Sequence, residues 1–107
     1  MSRFSEVVER LAAVIESRRG ANPKKSWSAR LIGDPTLASK KLGEEALETA
    51  LAALKGDRDA VAAESADLLY HWLAVLAGAG VSLDEIAAAL EAREGRSGFE
   101  EKASRRR

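Results

Sequence analysis

The sequence predicts an all-α protein, a four-helix bundle centred on an antiparallel helical hairpin. Three observations carry this. Apolar residues recur at intervals of three and four, capping residues and glycines punctuate the chain at helix-length spacing, and no run alternates apolar and polar residues as a half-buried strand would. A chain of 107 residues can bury one core with a thin margin, so residues 1–107 read as a single domain.

Phe4, Val7, Val8, Leu11, Val14 and Ile15 form an amphipathic stripe over residues 4–19, closed by Gly20. Residues 21–33 hold Asn22-Pro23, Lys24, Lys25, two serines, Trp27 and Arg30 without sustained periodicity, and read as a loop or short irregular segment. A loop of that length in a compact domain is uncommon unless it is functional or disordered. Asp34 as N-cap, with Pro35 at the first helical position, opens a second helix over residues 35–55. Gly56 ends it and Asp57 caps a third, residues 57–79, with Val61, Leu68, Leu69, Trp72, Leu73 and Leu76 as apolar positions. Gly80 stops that helix. Ser82 and Glu85 form a capping box for a fourth, residues 83–94, with Ile86, Ala89 and Leu90 inward. Residues 95–107 are too polar to pack by themselves and are expected to be a tail, with Arg105 to Arg107 as a solubilising end.

Seventeen basic residues balance seventeen acidic ones, so no overall field draws nucleic acid or an anionic membrane, and any phosphate binding must be local. The absence of cysteine excludes disulfides, thiolate zinc sites and cysteine nucleophiles, and is compatible with a reducing cytoplasm. Residues 1–9 lack the pattern of a signal peptide, and the longest apolar run, residues 72–77, is too short to span a bilayer. A soluble, cytoplasmic protein is expected. Much of the 46% hydrophobic content is alanine, which lets helices approach closely but buries little area per helix. One protomer is not expected to cover Trp72, Leu73, Leu76 and the first-helix stripe alone, which predicts a homodimer.

The acidic residues are symmetric about Gly56. Glu45 and Glu48 precede it by eleven and eight positions, and Glu64 and Asp67 follow it by eight and eleven. Equal rise per residue on antiparallel helices puts Glu48 level with Glu64 and Glu45 level with Asp67. Two unit charges 4 Å apart repel by roughly 4 kcal/mol at an effective dielectric near 20, so four carboxylates meeting there call for a cation. An all-oxygen donor set suits Mg²⁺ or Mn²⁺; with one histidine in the chain, zinc is disfavoured. A single Glu-x-x-Glu is usually a solvated helix face. Here two acidic pairs match in level across a marked turn, and Leu47, Leu51 and Leu68 flank them as if the region faced inward.

Around this set lie further candidates. Glu44 shares the face of Glu48. Gly43 costs about 1 kcal/mol in a helix interior relative to alanine, and either a close neighbour or tight packing should compensate. Lys40 and Lys41 precede Glu44 and Glu45 by four, the less favourable order for helix ion pairs, and are candidates for phosphate oxygens, as are Lys24, Lys25 and Arg30. Trp27 suits stacking on a base; it could equally anchor its loop. His71, four residues after Asp67 on roughly the same face, is placed to orient a carboxylate or touch substrate, but a lone histidine in an apolar helix is more often a packed, hydrogen-bonded core or interface residue, and it is read so here.

Glu44-Glu45-x-x-Glu48 followed by Glu64-x-x-Asp67 resembles the signature of the all-α nucleoside triphosphate pyrophosphohydrolases, the MazG-like superfamily. Residues 40–48, 64–71 and 97–105, with 26–31 before them, resemble the phosphoribosyl-ATP pyrophosphohydrolases of histidine biosynthesis over nearly the whole chain. The resemblance implies Mg²⁺-dependent hydrolysis of phosphoribosyl-ATP to phosphoribosyl-AMP and pyrophosphate on a helical homodimer. It also implies Glu45, Glu48, Glu64 and Asp67 as metal ligands with Glu44 beside them. Whichever of Glu44 and Glu45 is not fully occupied by metal is suited to orient or deprotonate a bound water. Members of the family are often fused to a cyclohydrolase with metal-binding cysteines, and with no cysteine and 107 residues a stand-alone enzyme is expected. Two other readings stay open: a MazG-like pyrophosphohydrolase of other nucleoside triphosphates, and a non-catalytic helical dimerisation module.

Overall fold

The structure is a computed structural model and describes residues 2–105; Arg106 and Arg107 of the expected tail lie outside the described residues. Every regular element among them is helical: α1 (Arg3–Ser17), α2 (Trp27–Ile32), α3 (Pro35–Leu54), α4 (Arg58–Ala79), α5 (Leu83–Glu91) and α6 (Gly98–Arg105).

The start signals act as the sequence implies. Asp34 accepts the Leu37 amide at the head of α3, with Pro35 inside the first turn, and Asp57 accepts the Ala60 amide at the head of α4. Ser82 and Glu85 exchange both bonds of a capping box at α5. Each such cap contributes about 1 kcal/mol by giving an orphan amide a partner. Gly56, at φ +71°, turns the chain from α3 into α4. Gly80, also at φ +71°, ends α4 in the left-handed conformation that other residues resist.

α3 and α4 form the central hairpin, and α4 also packs against α1 and α2. The core sits where these meet, around Ile15, Leu31, Ile32, Ala38, Leu73 and Ala74. No single helix among the described residues is long and apolar enough to cross a membrane, and the apolar α4–α5 pair is bent by 101° at its break.

Four expectations need correction. The segment 21–33 is not a loop throughout: residues 27–32 are helical, with Ser26 capping at the Ala29 amide, and Ala29, Leu31 and Ile32 are buried. Six residues are fewer than two helical turns, too few to show a periodicity. The tail contains α6, where Ser97 accepts the Glu100 amide and the Glu100 carboxylate accepts from the Ser97 amide. The fourth predicted helix, α5, ends at Glu91, and its Leu90 is exposed.

The last correction concerns which apolar residues stay uncovered. Leu73 is buried, and Trp72 and Leu76 are half-buried within the protomer. Leu47 and Leu51 face outward with Leu54, at 61%, 45% and 84% exposure. Spacings of four and three place these leucines on one side of α3, with Gly43 one turn before Leu47. That side is opposite buried Glu45. Among the described residues, nothing beyond the adjoining turns of its own helix lies within 4 Å of a Cβ built at Gly43, so no neighbouring element accounts for the glycine. On α1, Phe4, Val7 and Val14 are exposed as well.

Candidate active site

The α3–α4 hairpin gathers the acidic residues. Carboxylate oxygens of Glu45, Glu48 and Glu64 all lie within 4.8 Å of one another. Glu45 is buried, Glu64 half-buried and Glu48 exposed, so the group runs from the interior of the hairpin to its surface. Asp67, expected level with Glu45, is exposed and stands outside this trio. Level is set by rise, but three residues along α4 also rotate a side chain by about 60° from Glu64.

Crowding shows in the protonation of Glu64. Its carboxyl is pushed up to about 7, first by a proton shared with Glu48, then by loss of hydration, then by the negative charges of Glu48 and Glu45. Two oxygens, Glu45 Oε2 and Glu64 Oε2, are buried with no hydrogen-bond partner. Leaving a buried polar atom unsatisfied costs about 1–3 kcal/mol, more for a charged group. Unsatisfied acceptors beside a third carboxylate, with no amide or hydroxyl to serve them, are a donor set that fits a hard divalent cation.

Glu44 lies next to this trio in sequence and is engaged elsewhere: Lys41 Nζ reaches Glu44 Oε2 at 3.2 Å. The pair is three residues apart, not the four of either spacing weighed from the sequence. Glu44, by hydrogen bond and charge, with smaller contributions from Glu45 and Glu48, holds the Lys41 ammonium above its ordinary pKa. Lys40, Lys24, Lys25 and Arg30 are all exposed. The two lysines before α2 follow a turn closed on Asn22, whose side chain accepts the Lys24 amide and whose carbonyl accepts the Lys25 amide.

α2 carries the aromatic candidate. Trp27 is 41% exposed, and the Arg30 guanidinium lies 5.8 Å from its ring centroid. Its indole nitrogen donates to His71 Nε2 at 3.4 Å, while His71 Nδ1 is 2.8 Å from the Asp67 carbonyl oxygen. His71 is buried and hydrogen-bonded, as its sequence context implies. Ser28 and Tyr70, one residue after Trp27 on α2 and one before His71 on α4, share a hydroxyl–hydroxyl bond of 2.6 Å. These two residues were not singled out from the sequence; once Ser26 is recognised as an N-cap, α2 becomes a helix and Ser28 an element of its packed face.

The sequence from residue 8 to residue 94 matches the family described as Phosphoribosyl-ATP pyrophosphohydrolase. A Caulobacter vibrioides (strain NA1000 / CB15N) protein named Phosphoribosyl-ATP pyrophosphatase is 62% identical over 103 residues, 96% of each chain. Proteins of the same name from Caulobacter sp. (strain K31) and Cereibacter sphaeroides (strain KD131 / KCTC 12085) are 59% and 51% identical, covering 98% and 92% of this chain and 98% and 97% of their own.

Proposed function

We infer the chemistry of the cleft from one premise: the chain belongs to the phosphoribosyl-ATP pyrophosphohydrolase family. It hydrolyses phosphoribosyl-ATP to phosphoribosyl-AMP and pyrophosphate, a step of histidine biosynthesis. The single observation that supports siting this reaction in the α3–α4 hairpin is the trio of Glu45, Glu48 and Glu64, with two of its buried oxygens unpartnered.

In our reading Glu45, Glu48 and Glu64 would hold Mg²⁺, for which Mn²⁺ could substitute, with Asp67 as a further ligand. Bound there, the cation supplies charge neutralisation for the triphosphate and lowers the pKa of a nearby water. Glu44 keeps a carboxylate outside the trio, restrained by Lys41, and we assign it to orient and deprotonate the attacking water, with Glu45 as the other carboxylate suited to that task. Lys40, Lys41 and Arg30 offer positive charge to the pyrophosphate as it leaves. Lys24, Lys25 and Trp27 complete the approach, the lysines toward phosphate oxygens and the indole toward the base.

We further propose that the working form is a homodimer, with α3 contributing to the interface. Gly43, Leu47, Leu51 and Leu54 give that helix an outward apolar side, with a glycine that lets another backbone come close. The protomer's radius of gyration of 15.7 Å exceeds the about 13 Å of a globule of this length.

Release of pyrophosphate from phosphoribosyl-ATP, compared with a panel of ordinary nucleoside triphosphates at equal concentration, tests the substrate. We expect kcat/KM for phosphoribosyl-ATP to exceed that for every other member. Equal or faster turnover of a common triphosphate would move the assignment to a general pyrophosphohydrolase.

A further inference from the structure

Among the described residues, His71 is the one buried titratable side chain that the reaction scheme leaves without a task. A carbonyl oxygen only accepts and an indole N–H only donates, so the two bonds fix the neutral tautomer: Nδ1–H donates to the Asp67 carbonyl and Nε2 accepts from Trp27. The ring is further held edge-on by Trp27, at 6.4 Å and 77°, and by Tyr70, at 5.1 Å and 88°. A side chain on α4 thereby sets the orientation of the indole on α2, and Arg30 rests over that same indole.

Anchoring α2 does not require this. Leu31 is fully buried, Ala29 and Ile32 are buried beside it, and Ser28 bonds to Tyr70. Trp27, by contrast, keeps 41% of its surface in water. A tryptophan fixed in angle, half open and paired with a cation, is arranged to receive something. Glu64, Asp67 and His71 follow one another at three and four residues on one side of α4, a rise of about 10 Å along the helix from Glu64 to His71, on which the indole rests. One nucleotide reaches that far.

We propose that His71 is a positioning residue for nucleotide binding: it holds the Trp27 indole, and through it Arg30, where α2 meets the side of α4 that leads to the carboxylates. The base stacks on the open part of the indole and Arg30 meets the phosphoribosyl or phosphate oxygens. This rests on the reading that phosphoribosyl-ATP is bound at the α3–α4 cleft.

The test is a double-mutant cycle of Trp27→Phe, which keeps a ring and loses the N–H, with His71→Leu, plus His71→Gln, whose amide oxygen restores an acceptor near the Nε2 position. With phosphoribosyl-ATP and Mg²⁺, each of the first two should raise KM about three- to tenfold with kcat nearly unchanged, the span of one hydrogen bond. The double variant should be no worse than the worse single one, and His71→Gln should recover most of the loss. In ¹⁵N-labelled protein without substrate, the Trp27 indole resonance, assigned by its loss in Trp27→Phe, should shift in His71→Leu and return in His71→Gln. Additive KM effects, an unchanged KM in Trp27→Phe, or an indole signal indifferent to His71 would overturn the proposal. A wild type that leaves phosphoribosyl-ATP intact would overturn the substrate half together with the functional reading. The indole signals decide the Trp27–His71 bond independently of turnover.

Discussion

Glu48 and Glu64, sixteen residues apart and on opposite arms of the hairpin, bring carboxylate oxygens within 4.8 Å of each other and of Glu45. Repulsion between them is relieved by a proton or by a cation, and these compete for the same oxygens. That competition links stability, pH and activity.

Without metal, stability should fall as pH rises from about 4.5 to about 7. The Glu64 carboxyl is raised in the folded protein from 4.5 to about 7, so across this window the folded state binds more protons than the unfolded one, and stability declines with pH. The contribution is fully present below the unfolded value and lost above the folded one. Thermal melts of chelator-treated protein should show the decline, and Glu64→Gln should flatten it. A wild-type profile as flat as that of Glu64→Gln would contradict the shared-proton account.

Glu48→Gln and Glu64→Gln should each keep the helical circular dichroism of the wild type and lower Mg²⁺-dependent turnover by more than about 100-fold, the upper end for groups that merely orient a metal ligand. Metal-free melting above pH 7 should rise in both, because one like charge is gone. Wild-type turnover in either variant would remove that carboxylate from the mechanism.

Much of this cleft was legible in the sequence because hairpin geometry is simple. Gly56 marked the turn, Asp34 and Asp57 marked the helix starts, and counting from the turn brought Glu48 level with Glu64. Counting did not supply rotation about the helix axis, which leaves Asp67 outside the trio and turns Leu47 and Leu51 outward. α2 escaped because six residues give no periodic signal, and because Lys24, Lys25 and Arg30 made its surroundings look like a solvated loop. α6 had a readable cue in Ser97 and Glu100, the spacing that correctly marked α5 at Ser82 and Glu85. The bond from Trp27 to His71 joins residues 44 positions apart, and no local pattern encodes it.

Arg30→Ala should lower kcat/KM about tenfold or more and leave the melting temperature nearly unchanged. Arg30 is exposed and its contact is the face of Trp27, whereas surface substitutions of this kind usually change stability by less than about 0.5 kcal/mol. A loss of stability large enough to account for the loss of activity would make Arg30 a structural residue.

Leu51→Glu should yield a folded monomer. The substitution puts a charge on the outward side of α3 without disturbing the core, in which Leu51 has no part. Light scattering at micromolar concentration should give twice the chain mass for the wild type and the chain mass for the variant. A monomeric wild type would contradict the dimer.

The central claim is that the Glu45, Glu48 and Glu64 cleft works through a bound divalent cation. Pyrophosphate release from phosphoribosyl-ATP, measured after exhaustive chelation and again after stepwise return of Mg²⁺, tests it most directly. We predict no turnover in the chelated protein and a saturable return of the full rate with Mg²⁺, a return that Glu64→Gln does not show at the same concentrations. A full rate after chelation, or equal recovery in Glu64→Gln, would contradict it.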